Sequence, residues 1–218
     1  MILLQIVTDT ATIETASQES ISILDLAVKG GAIMIPLSLM FVIAVYVFIQ
    51  RLITINNAGK VPGSFMNNVK DLVSKGDVSG AKLVCTQSDA PIAHILRKGI
   101  SRIGKPIDHI EKSMENVGRL ELYKLEKNLV ILTIIAGVAP MFGFLGTIAG
   151  MIQTFFNISI TSDITLGAIA DGIYVKMVTS ATGLMIGIMA YIAYSYLSAQ
   201  IDKVVNQMEA ASADFIDT

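Results

Sequence analysis

The residues of this chain most able to do chemistry lie in its driest stretches. Thr147, Thr154, Thr179, Ser180 and Thr182 place hydroxyls inside two long apolar runs, and Lys176 stands at the edge of the second. They are interleaved with Pro140, Gly143, Gly146, Gly150, Gly183 and Gly187. Gly146 with Gly150, and Gly183 with Gly187, are small-xxx-small pairs. That spacing lets helix backbones approach closely, and hydroxyls beside it can hydrogen-bond within a bundle. Plain helix packing accounts for most of the glycines but less well for a column of hydroxyls. On helices, Ala139, Gly143, Thr147, Gly150 and Thr154 share one face, and Lys176, Ser180, Gly183 and Gly187 share another. Two antiparallel helices would bring Thr147 and Ser180 together near mid-span.

Other chemistry is sparse. Cys85 is the single cysteine, which excludes an internal disulfide and any multi-cysteine zinc site. His94 and His109 are the only histidines, too few for a histidine-based metal centre. His94 reads as a packed or partly exposed side chain, His109 as a solvated first-turn residue, and Cys85 as a small buried one. No nucleophile stands with a base, so the chain is not expected to be an enzyme. Gly30-Gly31-Ala32 and Gly143-Phe144-Leu145-Gly146 are not phosphate loops, since no GK[ST] or GxGxxG follows a strand. No cofactor and no metal is expected.

The elements that position these residues follow from composition. Of 218 residues, 53% are hydrophobic and only 16% charged, against about 25% charged in an average soluble domain. Mean hydropathy is +0.64. A net charge of −2 argues against a nucleic-acid partner, and the apolar content argues against disorder. Three uncharged runs, 32–49, 129–156 and 177–197, each reach the roughly 20 residues needed to cross a bilayer. The expected fold is all-α: a polytopic membrane protein with three transmembrane helices, the second and third extended into the cytoplasm as long helices. The expected order is a periplasmic segment 1–31, helix 32–50, a cytoplasmic helical region 51–128, helix 129–156, a short periplasmic loop 157–174, helix 175–197 and a cytoplasmic helix 198–218. Thirteen of the sixteen Lys and Arg fall between Arg51 and Lys127. The flanking Arg51, Arg119, Lys124 and Lys127 place this side in the cytoplasm and the N-terminus outside. The first span then acts as an uncleaved signal anchor.

In the region 56–128, Val61-Pro62-Gly63-Ser64 reads as a turn, with Ser64 a helix cap. Phe65, Val69, Leu72 and Val73 follow at helical spacing and Gly76 stops the helix. Ser88-Asp89-Ala90-Pro91 starts another, with Ile92, Ile95, Leu96, Ile100 and Ile103 on one face and Gly104 and Pro106 at its end. A third helix from Ile107 meets no breaker before Asn128 and is expected to run as one rod into the second span, Gly118 being its weak point. At the C-terminus, Leu197, Ile201, Val204, Met208, Ala211 and Phe215 form an apolar stripe. A single chain is expected to offer it few partners, so neighbouring copies would bury it.

The run Ala139-Pro140-Met141-Phe142-Gly143-Phe144-Leu145-Gly146-Thr147-Ile148-Ala149-Gly150-Met151-Ile152, then Phe155, resembles the AP-x-x-GLLGTV-x-GMI-x-x-F motif of the MotA/TolQ/ExbB family. Ile169-Ala170-Asp171-Gly172-Ile173, then Thr179-Ser180-Ala181-Thr182-Gly183-Leu184, resembles that family's IA-x-GI…TTA-x-GL motif. Three spans with a large loop after the first match as well, and the length is nearer ExbB or TolQ than the larger MotA. The resemblance implies a pentamer around a single-span ExbD/TolR-like partner that carries a membrane Asp, driven by the proton-motive force and acting on a TonB-like protein. It carries the family's pore threonines over to Thr147 and, with a hydroxyl kept, to Ser180. Thr179 and Lys176 flank that position. The family often has Glu five residues before the Ser180 position; here that residue is Val175, with Lys176 next.

The residues agree in one respect. A proton needs a titratable stop within the membrane, and the second and third spans hold no Asp, Glu or His. A partner helix must therefore bring the carboxylate. A sodium-driven MotA-like stator and a passive scaffold without ion flux are the alternatives.

Overall fold

The structure, a computed structural model, describes residues 32–60, 63–161 and 166–217. The expected periplasmic segment 1–31 and Val61-Pro62 of the expected turn lie outside them. All regular structure among the described residues is helical: α1 (Met34–Ala58), α2 (Gly63–Ser74), α3 (Val78–Thr86), α4 (Pro91–Ile100), α5 (Ile107–Glu126), α6 (Leu129–Thr161) and α7 (Leu166–Ile216). α1, α6 and α7 are each long and apolar enough to cross a membrane. Only 22–33% of their apolar windows is buried within the chain, so most of that surface faces lipid or other helices. The interval expected as a loop, 157–174, is helical over 157–161 and 166–174. No proline interrupts either stretch.

Two compact units divide the chain. One holds the described residues up to Ser38 with Phe142–Gly183; the other holds Leu39–Met141 and Leu184–Thr218. The second contains the short helices, whose ends follow local chemistry. α2 stops in a hydrogen-bonded αL turn. Gly76 sits at φ +76, its N–H donates to Val73 O at 2.9 Å, and Asp77 N–H donates to Leu72 O at 2.9 Å. Asp77 then caps α3, its carboxylate accepting from Gly80 N–H at 2.9 Å. The periodic pattern does not announce α3; its signal in the sequence is the Asp77-x-x-Gly80 cap. α4 starts at Pro91 as expected and buries Ile92, Ile95, Leu96 and Ile100. Ile103, expected on that face, lies past the helix end and is 44% exposed. Gly104, at φ +91, turns the chain toward α5.

The rod expected from Ile107 into the second span is interrupted. α5 ends at Glu126, and Asn128 adopts φ +67 before α6 begins at Leu129. Asn tolerates the left-handed region better than other non-glycine residues, so the break needs neither Gly nor Pro. It frees carbonyls at the end of α5, and the buried Arg51 of α1 donates from Nη1 to one of them, Lys124 O, at 3.3 Å.

The C-terminal stripe also differs from expectation. Leu197, Ile201, Val204, Met208 and Phe215 are already buried within this chain. Gly99 of α4 shows how: a Cβ built there would lie 2.6 Å from Met114 Sδ and 2.7 Å from Phe215 Cε1. Lys70 and Asp214 join α2 to the same tail at 3.2 Å. The periodicity holds, but the stripe's partners lie within the chain, Val204 meeting the end of α1 at Gly59 and Phe215 meeting α4 at Gly99, and the stripe therefore gives no argument for neighbouring copies.

α4 and α5 are tied by polar contacts as well. Gly118 lies beside Ile95, with room for a Cβ at ordinary contact distance, 3.7 Å from its Cδ1. Glu121, with a side chain only 10% exposed, accepts from Lys124 Nζ at 2.7 Å and from His94 Nδ1 at 3.0 Å. Burial pushes the Glu121 carboxyl up, but hydrogen bonds and charge from Lys124 and His94 outweigh that and hold it below the usual carboxylate range. A depressed folded value stabilises the fold above the unfolded pKa of about 4.3, and this stability is lost as pH falls through the folded value. Glu121→Gln is expected to speed opening of α4–α5 amides in hydrogen exchange roughly tenfold at pH 7, for a loss of about 1–2 kcal/mol. The difference from the parent should close as pH falls below ~4.

Candidate functional site

In the unit containing Phe142–Gly183, α6 and the first half of α7 meet through glycine. A Cβ on Gly143 would stand 3.1 Å from Ser180 O and 3.2 Å from Gly183 Cα. One on Gly146 would stand 2.8 Å from Thr179 Cγ2, and one on Gly150 would overlap the Cγ, Cδ and Cε of Lys176. Gly172 of α7 faces Thr154 in the same way, with Oγ1 2.7 Å from the would-be Cβ. The seam therefore runs Gly143, Gly146, Gly150 along α6, one helical stripe at intervals of three and four residues. Lys176 lays its aliphatic stem across Gly150, against the neighbouring helix.

The hydroxyls fall into two groups. Thr179 is completely buried, filling the space beside Gly146. Thr147 and Ser180 are each half-exposed, as is Lys176. Thr147 Oγ1 donates to Phe144 O at 2.6 Å, Thr154 Oγ1 to Gly150 O at 2.9 Å and Thr182 Oγ1 to Val178 O at 2.9 Å. Each donates its proton to its own helix and keeps lone pairs able to accept. The motif sets Thr179 and Ser180 side by side. The structure separates them: the interior position against α6 belongs to Thr179, while Ser180 contributes its backbone to the contact with Gly143. The separation depends on how α7 is rotated about its axis, which the motif does not state.

In the other unit, α6 and α7 meet at Pro140 and Gly187. A Cβ on Gly187 would lie 2.6 Å from Pro140 Cγ and 3.0 Å from Ala136 O. Proline has no N–H to offer the carbonyl four residues back, which here is Ala136 O. Glycine at 187 lets the α7 backbone come up to that released carbonyl, where a Cα–H···O contact can form.

Because Gly143 faces backbone, nothing nearby can give way. Gly143→Ala is expected to cost about 1–3 kcal/mol. Gly137→Ala, where a Cβ meets nothing within 4 Å, should be neutral or stabilising by up to about 1 kcal/mol. Melting temperatures of the two variants in mild detergent distinguish them. Equal behaviour would mean that the seam does not hold α6 to α7.

Among the described residues, no three His, Cys, Asp or Glu side chains cluster as a metal site. What remains is a close-packed helix pair carrying half-exposed hydroxyls and one lysine. Comparison with known proteins places this arrangement. The chain is 28% identical to a protein of Methanothermobacter thermautotrophicus named as a biopolymer transport ExbB homolog, over 86% of this chain and 67% of that protein. It is 34% identical to the biopolymer transport protein exbB1 of Vibrio cholerae over 40% of this chain and 39% of that protein. It is also 34% identical to the Tol-Pal system protein TolQ of Haemophilus influenzae, over 44% of this chain and 41% of that protein. The chain thus spans about two fifths of the length of each of these two bacterial relatives. The sequence profile of the MotA/TolQ/ExbB proton channel family matches residues 87–210, which include α4, α5, α6, the glycine seam and most of α7. This multi-pass membrane protein belongs to the MotA/TolQ/ExbB proton channel family.

Proposed function

We propose that the chain is the ring-forming subunit of an ExbB/TolQ-like motor in the bacterial inner membrane. Five copies surround a single-span ExbD/TolR-like partner, and the proton-motive force drives the assembly to energise a TonB-like protein and outer-membrane transport. The observation that carries this reading is the composition of the glycine-seamed spans. Runs 129–156 and 177–197 hold hydroxyls but no carboxylate and no histidine, so the titratable stop for a proton must come from another chain. Thr147 and Ser180, half-exposed beside the seam, are the hydroxyls open to such a helix, and Thr179 sets the α6–α7 spacing behind them. The family membership, and relatives named for biopolymer transport and for the Tol-Pal system, support it. One charge crossing 100 mV releases about 2.3 kcal/mol, enough to bias a step of rotation without breaking a large interface.

Thr147→Val with Ser180→Ala is expected to spare assembly and lower proton-driven transport roughly fivefold or more, each hydroxyl contributing about 1 kcal/mol. Lys176→Gln should move the pH profile upward, because a nearby partner carboxylate without that cation holds its proton more tightly; Lys176→Arg should preserve the profile. Energised vesicles with a proton or a sodium gradient provide the measurement. Full transport in the double variant would remove these hydroxyls from the mechanism, and activity that follows sodium would favour a sodium-driven stator.

Orientation has its own test, and native Cys85 is a poor reporter for it. Burial pushes the Cys85 thiol up to about 11, with the nearby Arg97 opposing weakly, so it stays protonated and inert on either side of the membrane. In a Cys85→Ala background, Ser17→Cys should label with an impermeant thiol reagent in intact spheroplasts. Cysteine at the exposed Lys105 should label only after permeabilisation. The reverse pattern would overturn the periplasmic N-terminus, the cytoplasmic C-terminus and the motor reading together.

A further inference from the structure

α1 and the second half of α7 run parallel, and two adjoining cavities lie between them, both within the unit holding Leu39–Met141 and Leu184–Thr218. The first, about 420 Å³, is walled by Phe41, Ala44, Phe48, Met189 and Ala193 and bounded by Tyr196. The Tyr196 hydroxyl is its one polar side-chain group. The second, about 230 Å³, continues along the same two helices and is lined by Asn56, Lys60, Tyr196, Gln200, Lys203 and Gln207. Its floor is the buried pair Ile55 and Val204, beside Gly59. Tyr196 belongs to both cavities. No carboxylate lines either one, and among the described residues neither Lys60 nor Lys203 forms an ion pair.

An apolar groove alone would accept any acyl chain or apolar helix, and a cationic amide-rich pocket alone would accept any small anion. Their junction at Tyr196 selects a molecule that carries both chemistries in that order. We propose that this groove is a binding site for an anionic phospholipid. Its phosphate-bearing headgroup lies among Lys60, Lys203, Asn56, Gln200 and Gln207, and an acyl chain lies along Phe41, Ala44, Phe48 and Ala193. The depth agrees with a single leaflet. Fifteen residues separate Phe41 from Asn56, about 22 Å along a helix at 1.5 Å per residue. Half of a ~30 Å hydrocarbon core together with the adjoining headgroup layer has nearly the same thickness. The site also falls at the end of the spans where Lys and Arg are concentrated in the sequence, and anionic lipid and such residues attract one another. Tyrosine is a residue suited to that interface, its ring apolar and its hydroxyl wet.

Native mass spectrometry of the full chain in mild detergent, titrated with phosphatidylglycerol or phosphatidylcholine of the same chains, tests the proposal. Phosphatidylglycerol adducts should persist at roughly tenfold lower lipid concentration than phosphatidylcholine adducts, given two uncompensated lysines. Lys60→Gln with Lys203→Gln should reduce that preference to parity, and Lys60→Arg with Lys203→Arg should retain it. Ala193→Phe, which fills the apolar groove and leaves both lysines in place, should weaken retention of both lipids. Excess glycerol phosphate should leave bound phosphatidylglycerol in place. Equal retention of the two lipids by the parent chain would overturn the proposal, as would unchanged preference in the Gln pair. Displacement by glycerol phosphate would show instead a site for free anions.

Discussion

The close approach of two helix backbones, α6 and α7, is the constraint on which the rest depends. Helices in lipid gain little from burying apolar side chains against one another, because lipid is as apolar as leucine. Attraction between them must come from contact, and contact at backbone distance requires positions without a Cβ. Gly143 against Ser180 and Gly183, and Gly187 against Pro140 and Ala136, supply it at 2.6–3.2 Å from the would-be Cβ atoms. The side chains allowed between them are then few: Thr179 beside Gly146 and the stem of Lys176 over Gly150. The polar groups of the spans are arranged by this seam. It buries one hydroxyl and leaves Thr147, Ser180 and Lys176 at its margin.

The region between the first two spans solves a different problem by different means. Here water is present, and apolar burial drives assembly. Four helices, α2 to α5, build this region, and the far end of α7 meets α2 at Lys70 and α4 at Gly99. Leu96, Ile100, Met114 and Phe215 are buried in that packing. Its polar ties sit at the edge of the apolar core, with His94 and Lys124 meeting on Glu121 and Arg51 meeting the carbonyl left open where α5 ends. The 51-residue α7 thus serves two solvents along one rod. Its first half is held by glycine and its second by an apolar stripe with a period of three to four residues.

Both halves were legible to different degrees. The three spans are plain in the sequence because an uncharged run of about 20 residues has few other uses. The ends of α2 and α4 are plain because Gly76, Pro91 and Gly104 carry backbone preferences that operate locally. Asn128 was not, since asparagine permits a left-handed turn without requiring one. α3 was not, since nine residues with only two fully buried positions, Ala81 and Cys85, make a weak periodic signal beside their neighbours.

By itself, then, the sequence determined an all-helical chain with three membrane-crossing segments, the family motif, and second and third spans without Asp, Glu or His. These follow from composition and spacing within single segments. Tertiary structure alone decided which of two adjacent hydroxyls is interior, Thr179 rather than Ser180. It also decided that Lys176 lies across Gly150, that the C-terminal stripe is covered by its own chain, and that α1 and α7 leave a groove ending at Lys60 and Lys203. Each of these depends on the rotation of one helix against another. Periodicity identifies a face and its residues, but the surface that face meets is fixed only when all the helices pack together.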